Sequence, residues 1–143
     1  MDDDTFLAKF ENGTWPLGQW HHREHIKVAY LYLCRYGLEL AIQKMCCGIK
    51  AFNAAHQVPE SPTGGYHETM TQAWMRLVYL TLCEFGPSET ADAFLESQPQ
   101  LLSKRALLFF YSRALIMSAA AKRQFVAPDL TALPQSVGRV TTN

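Results

Sequence analysis

The chain has 143 residues, 48% of them apolar, and 13 Lys plus Arg against 13 Asp plus Glu, so it carries no formal net charge. At this length folding buries roughly 70% of the unfolded chain's surface, so one domain needs neither disulfides nor a structural metal. Balanced charge denies the clustered Lys and Arg that phosphate neutralisation requires, which argues against a nucleic-acid partner. The apolar runs 28–34, 77–83 and 114–121 fall well short of the ~18 residues a membrane helix needs, so no membrane partner is expected.

Asp2, Asp3 and Asp4 stand where an export signal would place positive charge ahead of an apolar segment. Cys34, Cys46, Cys47 and Cys83 include an adjacent pair and no C-x-x-C spacing. Both features point to a cytoplasmic protein with reduced cysteines, read as small buried hydrophobes, with one reactive thiol as the alternative.

Amphipathic runs punctuated by Gly and Pro, without sustained period-two alternation, predict an all-α chain. The expected architecture is an irregular up-and-down bundle of six or seven helices over 1–126, followed by an extended C-terminal tail over 127–143. A first helix over 4–11 has an acidic start suited to the positive end of a helix dipole, and Asn12-Gly13 stops it. The second, over 21–36, carries Ile26, Ala29, Tyr30, Leu33 and Tyr36 at helical period up to a Gly37 cap. Through that tight connection a third helix, over 38–55, should pack antiparallel on the second, with Gly48 marking a close helix approach.

Segment 57–65 contains Pro59, Pro62 and Gly64-Gly65, so it is a loop, and its length in a small bundle favours a functional role. The fourth helix, over 67–85, ends at Gly86-Pro87, and Ser88 is expected to cap a fifth over 89–97. Pro99 precedes a last helical region over 101–125, one long helix or two divided at Ser112. Its string 106–111 is apolar all round and should be buried on most sides. In the tail, Leu130 and Leu133 are expected to pin the first half to the bundle, while the last residues move freely.

The densest chemistry lies in Trp20-His21-His22-Arg23-Glu24-His25, which puts three of the five histidines near one helix start. Residues three or four apart share a face with Cβ atoms ~5–6 Å apart, so His22 with His25, or His21 with His25, can offer two imidazoles to one metal ion. A third comes from His67, at the start of the fourth helix, where the dipole disfavours the imidazolium and leaves the ring neutral. Glu68 is the candidate fourth ligand or general base, and Thr71, one turn beyond His67, a supporting hydrogen-bond partner. Tyr66, Trp74 and Tyr32 complete a candidate pocket between the second and fourth helices, with Tyr32 on the helix face of His25. Three protein ligands with an open position suit catalytic zinc and non-haem iron, so the expected cofactor is a divalent metal, zinc or iron.

Against this stands the plainer possibility that these histidines cap helices, pack or face solvent, as His56 does in a structural role at a helix C-terminus. Residues 21–25 also fit the H-x-x-E-H string of inverted zinc peptidases, but those enzymes draw a further carboxylate ligand from a sheet-containing domain that this chain lacks. Nucleophilic catalysis has less support, because no Ser sits in a strand-turn-helix elbow and Cys34 lies nine residues beyond His25.

Trp20-His21-His22-x-x-His25, Tyr66-His67-Glu68-Thr69-x-Thr71-x-x-Trp74 and Phe125-Val126-Ala127-Pro128-Asp129-Leu130 together resemble a family of small, uncharacterised, all-helical bacterial proteins. The likeness spans most of the chain, and the Tyr-His-Glu-Thr stretch and Pro-Asp-Leu ending are its distinctive parts. It implies a bacterial source and joins His22, His25, His67 and Glu68 as one feature, without an assigned activity. Lys122 departs from the pattern, standing where such proteins are expected to carry Arg.

Two functions follow. One is a divalent-metal-binding protein or enzyme acting on a small molecule through the histidine cluster. The other is a non-catalytic ligand-binding or protein-interaction helical module without metal, and a homodimer is compatible with either.

Overall fold

Side-chain caps set where the helices begin. In the computed structural model, which describes residues 1–134, Asp2 accepts from the Thr5 N–H and starts α1 (Asp3–Glu11). The Glu24 carboxylate takes the His21 N–H at 2.9 Å and starts α2 (His22–Tyr36). Gly37, at φ 77° and ψ 170°, both ends α2 and precedes α3 (Leu38–Ala55), a backbone region that only glycine enters readily. His67 caps α4 (Glu68–Phe85), which Gly86 ends in the same conformation as Gly37. Then come α5 (Ala91–Ser97), α6 (Arg113–Ile116) and α7 (Ala119–Arg123), with 3₁₀ turns at Leu17–Gln19, Pro99–Leu102 and Lys104–Phe109.

The described residues are therefore all-helical, with no strand; Ser61 and Gly64 alone form an isolated bridge inside the predicted loop. No helix among them is long and apolar enough to cross a membrane.

Helices α2, α3 and α4 pack on one another, with α1 against α3 and α5 against α2. Their shared core buries Phe6, Phe10, Ile26, Phe52, Phe94 and Leu95 almost completely. Gly48 on α3 is the close approach: an added Cβ would lie 2.9 Å from the Phe10 ring. A second, smaller cluster of Ala73, Leu107, Tyr111 and Ile116 lies between α4 and the C-terminal arm.

That arm departs most from expectation. The region 101–125 is neither one helix nor two but a series of short pieces, because serines interrupt it. Ser112 accepts from the Leu115 N–H and Ser118 from the Ala121 N–H, each opening a new helical start at the expense of continuation. In string 106–111 only Leu107 and Tyr111 are buried, whereas Phe109 is 75% exposed, because a single-layer arm has only one covered face. Thr90, not Ser88, caps the fifth helix, accepting from the Ala93 N–H; the Ser88 carbonyl and N–H are held instead by the Tyr30 hydroxyl.

Two smaller expectations also change. Cys34, Cys47 and Cys83 are exposed free thiols on outward helix faces, and only Cys46 is partly buried. In the tail Leu133 packs on the second cluster, but the Leu130 side chain is exposed and its N–H, bonded to the Phe110 carbonyl, does the fastening. Asp129 reinforces it by accepting from the Ser112 N–H at 2.8 Å. The expected free movement of the last residues falls on 135–143, outside the described residues.

Candidate functional site

Where the arm crosses the open ends of α2 and α4, it does not fill the space beneath it. A cavity of about 690 Å³ remains, within the ~300–1,000 Å³ range typical of small-molecule sites. Buried Ile26 and Ala29 from α2, Met45 and Ile49 from α3, and Met75 from α4 form its interior. Trp20 and Trp74 stand on its wall, and Leu107 and Ile116 of the arm close it.

His22, His25 and His67 all line this cavity, together with Tyr66, Thr71 and Trp74. Their hydrogen bonds show what the imidazoles are occupied with. His22 Nε2 lies 2.9 Å from the Leu101 carbonyl oxygen, which can only accept, so Nε2 carries the proton and donates. His25 Nδ1 donates likewise to the His21 carbonyl at 3.1 Å, and its ring lies 4.2 Å from that of Trp20. In His67 both nitrogens are committed. Nδ1 accepts from the Met70 N–H at 3.0 Å as the cap of α4, and Nε2–H donates to the Ile116 carbonyl at 2.8 Å.

These bonds make His22 and His67 fasteners: each ties a carbonyl of the arm to the first turn of a bundle helix. Burial holds all three imidazoles below the usual histidine range, His25 at about 4, with the Lys104 cation adding to the effect on His22 and His25. They are therefore neutral near pH 7. Among the described residues no three His, Cys, Asp or Glu side chains are placed to hold a metal ion.

Glu68 does not face the cavity. One residue beyond His67, it is turned by about 100° around the helix axis, toward a shallower depression lined by Lys50, Glu60, Lys122 and Arg123. There it accepts from the Tyr66 hydroxyl at 2.8 Å and from the Gln72 amide. Burial raises the Tyr66 phenol well above its ordinary range, which keeps it a donor. Lys122 donates to Glu60 and to the Tyr66 carbonyl, both at 2.8 Å, so its charge is used in fastening the 57–65 loop.

Thr71 supports the backbone and not the imidazole: its hydroxyl donates to the His67 carbonyl at 2.8 Å. Trp74 meets the His22 ring edge-on at 4.6 Å. Tyr32 lies off the cavity, with its hydroxyl donated to Glu11 at 2.6 Å. It shares a face with His25, but seven residues of helix carry it about 10 Å along the axis, to where α1 and α3 cover that face.

Periodicity did not reveal the cations. Lys104, Arg105 and Arg113 line the cavity from the arm and are exposed, so they form its rim. One signal was present: residues 97–128 contain Lys104, Arg105, Arg113, Lys122 and Arg123 and no Asp or Glu. No protein-family model, curated protein or solved structure matches this chain.

Proposed function

We propose that the protein is a non-catalytic module that binds a small, largely apolar molecule in the cavity between the bundle and its C-terminal arm. The observation that carries this is the cavity: about 690 Å³, with an aliphatic and methionine interior and tryptophan walls. Both nitrogens of His67 and one each of His22 and His25 are already hydrogen-bonded, which suits a wall better than a reacting group. The bacterial resemblance and four free cysteines favour a bacterial cytoplasm as its setting.

Trp20 and Trp74 supply the readout. Decanol titrated into the protein should shift tryptophan emission saturably. Ala29→Phe, which places a ring in the interior, should abolish that shift while the protein still melts cooperatively. A shift retained in the filled variant would contradict the proposal.

A divalent-metal function keeps one observation in its favour: His22 Nδ1 and His25 Nε2 have no hydrogen-bond partner among the described residues. Elemental analysis of protein prepared without a histidine tag decides it, with stoichiometric zinc or iron lost in His25→Ala as the supporting result.

A further inference from the structure

We propose that the ligand carries an anionic head group on its apolar body, seated at the rim against Lys104, Arg105 and Arg113; this rests on the ligand-binding function above. The cavity lining contains four charged side chains, Arg23, Lys104, Arg105 and Arg113, all of them cationic. No carboxylate lines it, although the chain as a whole carries equal numbers of acidic and basic residues.

Arg23 is already paired with Asp92 at 2.9 Å, whereas Lys104, Arg105 and Arg113 form no ion pair among the described residues. These three stand on one short stretch of the arm, Lys104 and Arg105 in the last 3₁₀ turn and Arg113 at the start of α6. Unpaired like charges gathered at an apolar opening repel one another and gain from an anion at their centre. The charge lies at the rim and the apolar surface inside, so the matching molecule is amphipathic: an aliphatic or aromatic body that enters, and a carboxylate or phosphate that stays at the mouth. The neutral imidazoles just inside add no competing charge.

Calorimetry on the full chain separates the terms, using decanoate, decyl phosphate, decanol and decyltrimethylammonium, which share one alkyl chain and differ at the head. Decanoate or decyl phosphate should bind roughly tenfold more tightly than decanol, with the ammonium weakest, since each exposed charge contributes modestly. The stronger of the two acids names the head group. In ~1 M salt, where the screening length is about 3 Å, the preference over decanol should vanish in the unaltered protein. The triple variant Lys104→Gln, Arg105→Gln, Arg113→Gln should erase it without salt. Equal binding of decanol and the acids would overturn the anionic head while leaving the cavity's function intact; binding of none of the four would remove both. Inorganic phosphate binding as tightly as decyl phosphate would also overturn the proposal, because the site would then ignore the apolar body.

Discussion

Helices α2, α3 and α4 run for 15, 18 and 18 residues, whereas after α5 no helical element among the described residues exceeds the six residues of Lys104–Phe109. The long helices are held by apolar stripes that meet in a common core, the dominant stabilising term in a fold of this size. The arm buries far fewer side chains completely and is held by polar fastenings instead. His22 holds Leu101, His67 holds Ile116, Thr69 holds Gln124 and Val126, and Tyr111 holds Val126. Apolar packing fills space, while hydrogen bonds fix points and leave room between them. The cavity lies where the second kind of construction meets the first.

The largest expected effect tests the bundle side of this contrast. Phe52 is buried between Phe10, Trp20 and His56, with ring centroids at 5.6, 4.8 and 4.4 Å. Phe52→Ala should cost about 3–5 kcal/mol in denaturant unfolding and lower the stability of every segment together.

Next comes acid, which acts at the seam. The folded state holds His25 at about 4 against 6.5 in the unfolded chain, with His22 and His67 lowered in the same direction. Between these values the unfolded chain binds more protons, so stability is full above pH 6.5 and falls as pH drops toward 4. The His25 shift alone corresponds to a loss on the order of 3 kcal/mol. Chemical denaturation across that range measures the slope, which His25→Gln should flatten.

A third change isolates the arm. Thr69 is fully buried, and its hydroxyl both donates to the Gln124 carbonyl at 2.8 Å and accepts from the Val126 N–H at 3.1 Å. Thr69→Val should cost about 2–3 kcal/mol. Faster hydrogen exchange should then be confined to α7 and the tail, with α2 and α3 still protected. His67→Asn is the gentlest: it keeps a capping side chain for α4 but loses the reach to Ile116, at a cost of about 1 kcal/mol, visible as faster exchange in α6.

The same division explains what was legible in the amino-acid sequence. The bundle helices announced themselves through long amphipathic period and through Gly37 and Gly86, whose conformations require glycine. Gly48 could be read as a close approach for the same local reason. In the arm, by contrast, good helix formers such as Ala106 and Leu107 were outweighed by Ser112 and Ser118, whose bonds to backbone N–H groups restart the chain. That His22, His25 and His67 share a cavity was accessible from helix faces and the adjoining loop. What occupies their nitrogens was not, because Leu101 and Ile116 lie 79 and 49 residues away along the chain. Adjacency in the sequence pairs Glu68 with His67, although one helical step sends the two side chains to different depressions.

A crystal structure of the protein soaked with a bromine-terminated decanol tests the cavity's function most directly, since anomalous scattering places the bromine without model bias. A bromine among Met45, Met75 and Trp74, with the hydroxyl toward Lys104, is the predicted result. An empty cavity, or bromine bound only on outer helix faces, would contradict it.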